Sequence, residues 1–554
     1  MGVIMADQKI ENLLNLAAGS TNSEKEKSEN LGVGFDPQTD TWEIIVKYTG
    51  DILSLADRYP GIRIVPLLGQ YAIVTIAEDQ LDDFSDEEVI TYIEKSKQLV
   101  FTVVQGRIAS CINPVQAPPL QLTGKGVLTA VIDSGIDYQH PAFRNGDQSK
   151  ILSIWDQSLP GGRSGRIPYG REFTRVQINE ALAAENPLEI VPLIDRNGHG
   201  TRLAATAAGN RIPEENFSGA APEAELVIVK IKPAKKYLRD FYLFPREAEV
   251  FQEDDIMLAI AYVLQCAVEN QMPLSICIGL GTNMGAHRGD GPLSEFINST
   301  ASFSQNSISI AAGNEGTARH HYLSGADRQE KTDTVELKVG EQESTRGFSM
   351  EFWGDSPNFY NIVIQSPTGE RLPVSTALKY GTQELSFVFV ETRILVNYIP
   401  IERRTGKTLV FFRFLHPAPG IWKLLVEERM PANGGFHIWL PTRGLISDET
   451  YFLKSSPEFT ITSPGDARDG MTVTAYQYRD NSLYVQASRG YNTENVVKPD
   501  FAAPGVGILT ASIGAGRIFE QATGTSLAAA QPAGIAALLF EWALIRGNEP
   551  YFTG

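Results

Sequence analysis

The sequence predicts an α/β protein: a parallel sheet flanked by helices, preceded by a small α+β domain and interrupted by an inserted β-sandwich. Three observations predict it. Apolar runs that end in glycine turns alternate with helical spacing across residues 126–133, 203–208, 226–231, 255–269 and 274–281, the pattern of strands buried on both faces between helices. Residues 332–460 read instead as many short strands separated by turn formers. Residues 36–105 carry a compact mixture of strands and helices with an apolar core of their own.

With 554 residues, 42% of them hydrophobic, the chain can bury a large core and divides into several domains. A formal charge of −18 makes nucleic acid a poor partner, since phosphate attraction needs a basic face. Three cysteines, Cys111, Cys266 and Cys277, cannot all pair and lack metal-ligand spacing, which fits a reducing compartment or buried thiols. Residues 1–35 hold a short helix at 10–18 and a polar tether, without the apolar core of a secretory signal. No run of 18 apolar residues argues for a membrane span. The expected location is therefore cytoplasmic or spore-associated.

In chain order, residues 43–48, 62–66 and 71–76 read as strands and 51–59 and 78–89 as helical. A closing strand at 99–105 completes the small domain, with Trp42, Ile44, Val46, Leu55, Ile64 and Ile73 as its core. The sheet domain begins near residue 106. Residues 150–195 form a long connection with a helix at 177–184. In the insertion, strands are expected at 335–339, 348–352, 361–365, 385–390, 409–414, 422–426 and 436–440; His416 and His437 there lack ligand spacing and read as structural. The sheet domain resumes at 461–554 and contains an alanine-rich helix at 527–542 interrupted by Pro532, where a bend is expected.

That helix opens at Gly524-Thr525-Ser526. A helix N-terminus presents unpaired N–H groups and the positive end of a dipole, which favours an oxyanion beside a nucleophilic hydroxyl. By itself this is an ordinary Ser/Thr cap. Upstream, however, an apolar strand ends at Ala130-Val131-Ile132-Asp133-Ser134-Gly135, and a histidine stands between glycines in Gly198-His199-Gly200-Thr201. Serine is not nucleophilic near pH 7 without a base, and imidazole serves when a carboxylate fixes its tautomer.

Together with Ala311-Ala312-Gly313-Asn314, these stretches resemble the subtilisin-like serine proteases, in that family's order. The resemblance implies Asp133 as orienting acid, His199 as general base and Ser526 as nucleophile, with Asn314 donating to the oxyanion. It implies substrate binding by Leu280, Gly281, Ala312 and Gly313. It also makes residues 36–105 a propeptide, cleaved between Gln105 and Gly106 after the extended segment Thr102-Val103-Val104-Gln105 and retained as an inhibitory partner.

Propeptide, inserted sandwich and missing signal together are similar to the Csp germination proteases of spore-forming bacteria. In that group the enzyme activates the precursor of a cortex-degrading hydrolase. The alternative is a catalytically silent, protease-shaped binding or signalling module. The sequence departs from the family at Arg202-Leu203, at Ala530 with Pro532 two positions later, and in residues 210–217, which do not reproduce the family's calcium loop. No metal or cofactor is expected; protein or peptide is the expected substrate.

Overall fold

The computed structural model describes residues 9–10, 35–36, 39–67, 70–95, 109–110, 112–162, 165–324, 332–376, 382–429, 434–513 and 518–552. The chain divides into two compact units, Met1–Phe101 and Thr102–Gly554.

In the first unit a five-stranded antiparallel sheet is built around Thr41–Tyr48, which pairs with both Tyr71–Ala77 and Ile90–Lys95. Strand alternation places Trp42, Ile44 and Val46 on one face, opposite Ile76, Val74 and Ala72. Those six residues are buried, with Leu55 and Phe84. Ile73, expected in this core, lies on the other face, because its neighbours take the inward positions of a period-two strand; Ile64 is only partly buried. The helix expected at 51–59 is a short 3-10 turn, Ile52–Leu55, and that at 78–89 shrinks to Glu78–Gln80 and Leu81–Asp86. Ile90–Lys95 is a strand the sequence reading missed, and the strand expected at 99–105 lies outside the described residues.

The second unit holds a nine-stranded sheet. Its order is Arg171–Thr174, Ile151–Asp156, Glu225–Lys230, Leu128–Asp133, Leu274–Ile278, Asn306–Ala311, Met471–Gln477, Ser482–Leu483, with Phe501–Pro504 also beside Met471–Gln477. All pairings are parallel except those of Arg171–Thr174 and Ser482–Leu483. Every residue of Leu128–Asp133 and of Leu274–Ile278 is buried, as their uninterrupted apolar character requires when helices cover both faces. Residues 150–195 are more ordered than a connection: Ile151–Asp156 and Arg171–Thr174 join the sheet, followed by a helix at Arg175–Ala183. Their strand pattern is short and mixed with turn residues, so it escapes a periodicity reading.

The helix Thr525–Phe540 crosses one face of this sheet, continuing as a π turn, Glu541–Ile545. The helix does not end at Pro532. Proline removes one N–H from the ladder, and two buried strand hydroxyls supply donors nearby: Ser309 to the Ala529 carbonyl at 2.7 Å and Ser275 to that of Ala533 at 2.6 Å. Residues Thr525–Ile545 are long and apolar enough to cross a bilayer, but 67% of their apolar 18-residue window is buried inside the protein, as in a central core helix.

The insertion is a sandwich of two antiparallel sheets. One runs His321–Leu323, Phe436–Trp439, Phe348–Gly354, Thr408–Leu415, Arg393–Ile399, Thr382–Ser386; the other runs Arg371–Pro373, Tyr360–Gln365, Gly420–Glu428, Thr332–Val339, Tyr451–Phe452. Their inner faces share one core that includes Phe352, Tyr360, Phe414 and Trp422. The strands expected here are present with shifted ends, except that the one expected at 385–390 is Thr382–Ser386; His321–Leu323, Arg371–Pro373, Arg393–Ile399 and Tyr451–Phe452 are additional.

Candidate active site

Asp133 is the last residue of the Leu128–Asp133 strand, so its side chain emerges at the C-terminal edge of a parallel sheet, where open α/β sheets place ligands. It is 1% exposed. Its Oδ1 accepts from the Ser134 backbone N–H at 2.8 Å and from His199 Nδ1 at 2.7 Å. The second bond places the Nδ1 proton toward the carboxylate and leaves Nε2 with a lone pair.

His199 opens the helix His199–Ala208. Its predecessor Gly198 has φ +74°, a left-handed conformation that favours glycine, and a Cβ there would lie 3.0 Å from Ile513 Cγ1, so the isoleucine side chain would have to give way. Burial opposes charge on the His199 ring, but the Asp133 carboxylate, through its field and hydrogen bond, outweighs it and raises the pKa above the ordinary histidine value.

Ser526 is the second residue of the long helix and is largely buried. Its hydroxyl donates to the Gly279 carbonyl at 3.2 Å. Gly279 also adjoins the other two groups: a Cβ there would stand 2.9 Å from His199 Cε1 and 3.0 Å from Asp133 Oδ2. One glycine thus adjoins the serine, the histidine and the aspartate, and a side chain there would press on Leu203, His199 and Asp133.

Asn314 follows the Asn306–Ala311 strand. Its Oδ1 accepts from both the N–H and the hydroxyl of Thr525, each at 3.2 Å, while Thr525 Oγ1 accepts from the Gly313 N–H. With Oδ1 engaged, the amide nitrogen faces the gap next to Ser526: a Cβ on Gly524 would lie 3.9 Å from both Asn314 Nδ2 and the Ser526 backbone nitrogen. Asn314 Nδ2 and the Ser526 N–H thus lie close to one another at the start of the serine helix.

Leu280–Gly281 and Ala312–Gly313, expected to bind substrate, come together across Thr462, which sequence reasoning missed. A Cβ on Gly281 would lie 2.3 Å from Thr462 Oγ1 and one on Gly313 2.7 Å from the same side chain. Thr462 also donates through its backbone N–H to the Ala312 carbonyl at 3.0 Å. Leu280 and Gly281 border a cavity of 690 Å³ whose far wall, including Glu351, Trp353 and Arg404, belongs to the sandwich. The bond between Gln105 and Gly106 lies outside the described residues. Among the described residues no three His, Cys, Asp or Glu side chains converge as metal ligands, and Cys266 and Cys277 are free and buried.

Arg202 and Leu203, which depart from the pattern expected after the histidine, have clear contacts. Arg202 pairs with Glu520 at 2.6 Å, tying the histidine helix to the hairpin of Ile508–Ala511 and Phe519–Ala522. Leu203 is buried in the main core, against Gly279.

Comparison with known proteins shows the family. The sequence profile of the subtilase family matches residues 124–336 and 453–545, and that of the Csp protease B prodomain matches residues 8–97. The solved structure of the Clostridium perfringens CspB protease is similar at 30% identity and a TM-score of 0.71, covering 81% of this chain and 89% of that one. Subtilisin-like protease SBT3 of Solanum lycopersicum is 26% identical over 463 residues, 76% of this chain and 56% of its own. M-protease of Shouchella clausii is 27% identical over 247 residues, 42% of this chain and 53% of its own. The chain spans about half the length of several curated relatives it matches.

Proposed function

The chain belongs to the subtilase family, and from that premise we propose that it is a serine endopeptidase working through an acyl-enzyme on Ser526. The observation that carries the reading is the 2.7 Å bond from His199 Nδ1 to a buried Asp133, made beside a serine at a helix N-terminus. In the reaction the Ser526 hydroxyl leaves the Gly279 carbonyl and adds to the substrate carbonyl carbon while His199 Nε2 takes its proton. Asp133 stays ionised and stabilises the imidazolium. The Asn314 amide and the Ser526 backbone N–H receive the oxyanion. When the C–N bond breaks, the imidazolium returns its proton to the leaving amine, and the same base then activates the water that releases the acyl group.

The amino-terminal unit is read as a propeptide, which its match to the Csp protease B prodomain supports. Cleavage falls between Gln105 and Gly106, and the unit stays bound as an inhibitor. The physiological substrate in this reading is a protein precursor such as a spore cortex hydrolase zymogen, met in the cytoplasm or the spore. A binding module of protease shape is the rival reading, favoured only by the Ser526 hydroxyl bonding Gly279 in place of the base.

A fluorophosphonate probe is expected to label the protein and not its Ser526→Ala variant. On a denaturing gel the protein should run as two fragments and Ser526→Ala as one, with the larger fragment beginning at Gly106. Equal labelling of both proteins sinks the catalytic reading; a fragment beginning upstream of Leu99 sinks the assigned cleavage site.

A further inference from the structure

Shortly before the histidine helix the chain passes Asp195, a residue outside every motif that led to the site. Its carboxylate is 4% exposed and accepts four hydrogen bonds. Oδ1 takes the Ser134 hydroxyl at 2.9 Å and the Gly198 N–H at 3.0 Å; Oδ2 takes the Thr201 N–H at 3.0 Å and the Thr201 hydroxyl at 2.6 Å. A carboxylate has about four lone-pair sites, so this one is filled.

The donors are not scattered. Ser134 directly follows Asp133, while Gly198 and Thr201 bracket His199. The link is doubled, because Ser134 Oγ accepts from the Gly200 N–H at 2.9 Å and Thr201 Oγ1 accepts from the Asp137 N–H at 2.9 Å. The two backbones also touch: a Cβ on Gly200 would lie 2.2 Å from the Gly135 carbonyl oxygen. The helix starts on Gly198, which has no side chain to cap it, and Asp195 supplies the missing carboxylate at its first N–H groups.

We propose that Asp195 is a positioning residue for the triad, locking the strand end that carries Asp133 and the helix start that carries His199 into one rigid piece. The proposal rests on the catalytic reading above. Asp195 touches neither substrate nor the reacting atoms; it fixes the 2.7 Å bond by fixing both of its anchors. Its negative charge adds to that of Asp133 in favouring the imidazolium formed in the transition state. The other charged or titratable groups around this corner include Asp137, whose N–H bonds Thr201, Arg202 with its partner Glu520, Glu249 bonded to Asn197, Lys230 packed on Gly135, and buried Cys277 behind Asp133.

The test compares the full-length protein with Asp195→Asn, Ser134→Ala and the double variant, with kcat on a peptide substrate counted per fluorophosphonate-titrated site so that unfolded protein does not contribute. The amide cannot accept four bonds and carries no charge. Asp195→Asn is expected to lower kcat about 100-fold, to change KM less than about threefold, and to move the acid limb of kcat/KM to lower pH. Ser134→Ala keeps the charge, so kcat should fall with the limb unmoved, and its effect should largely vanish in the Asp195→Asn background. Full kcat per site with an unmoved limb in Asp195→Asn, or strictly additive effects, overturns the proposal.

A readout independent of activity is the NMR titration of His199 in the Ser526→Ala background, where Asp195→Asn should lower the midpoint. An unmoved midpoint counts against Asp195 alone. Failure of the unmodified protein to react with the fluorophosphonate counts against the catalytic reading, whatever that titration gives.

Discussion

Asn314 is tied through its Oδ1 to two groups of Thr525, so its amide nitrogen is oriented before substrate arrives. In the proposed mechanism such a donor acts on the charge that develops in the transition state, and removing it costs on the order of 100- to 1000-fold in rate. Asn314→Ala is therefore expected to lose kcat by about that factor with KM little changed; equal losses in ground-state binding would show that the side chain holds substrate instead. In the proposed mechanism His199 sets the pH dependence. Burial lowers its pKa, the Asp133 carboxylate raises it by more, and the net direction is upward from about 6.5. The base must be neutral to act, so kcat/KM should fall on acidification with a midpoint above that value. A midpoint below it would mean that the Asp133 bond is not formed in the working enzyme.

At the scale of elements, the site depends on how closely two helices approach behind it. A Cβ on Gly534, in the serine helix, would lie 2.4 Å from the Ala207 carbonyl oxygen of the histidine helix and 2.5 Å from the Ala220 side chain. The neighbour is backbone, so it cannot rotate away. Gly534→Ala is expected to destabilise the protein by about 1–3 kcal/mol or more, measured by denaturant unfolding, although the substitution would favour an isolated helix. A more stable variant would mean that the helices separate freely. Lys150 belongs to the same scale: its ammonium donates to the Ala208 carbonyl at the end of the histidine helix, to the Pro222 carbonyl at 2.7 Å and to Asn210 Oδ1 at 3.1 Å. It therefore closes the helix that His199 opens, where a cation complements the dipole.

At the scale of the whole catalytic unit, the sandwich is joined to the sheet domain through aromatic stacking and buried polar contacts. Trp439 stacks on His287 with centroids 4.2 Å apart and also on His321 and His437, while Phe411 stacks on Phe241. Glu315, next to Asn314, accepts from His320 at 3.0 Å and from the Arg443 N–H at 3.0 Å. Burial pushes His321 well below the ordinary histidine value and, with the Lys407 charge, takes His437 down to about 3. The unfolded chain binds these protons near pH 6.5 and the folded one does not. Stability conferred by the neutral rings is therefore present above about pH 6.5 and is lost progressively as pH falls toward 3. Melting temperature should drop across that window, and His437→Leu should flatten the slope. An unchanged slope would remove His437 from the seam's acid sensitivity.

Asp133, His199, Asn314 and Ser526 stand out in the sequence as candidates because each lies in a short pattern fixed by local geometry, namely a strand end, two helix starts and a glycine turn, and the structure places them around Gly279 and Thr525. The two-face burial of Leu128–Asp133 and the alternation of the sandwich strands were legible because a side-chain period survives without knowledge of partners. What only the tertiary structure decided depends on distant residues meeting. Asp195 gives no local signal, yet it binds groups on both sides of the triad; Thr462 lies 181 positions from Gly281 by number and fills the space beside it. Ile73 turned out of its core because register is set by pairing with Thr41–Tyr48, and the helix runs on through Pro532 while Ser309 and Ser275, from distant strands, bond the neighbouring carbonyls of Ala529 and Ala533. Local patterns specify which residues can act, and long-range packing specifies what holds them in place, since hydrogen bonds and steric contacts are made in space and leave no period in the chain.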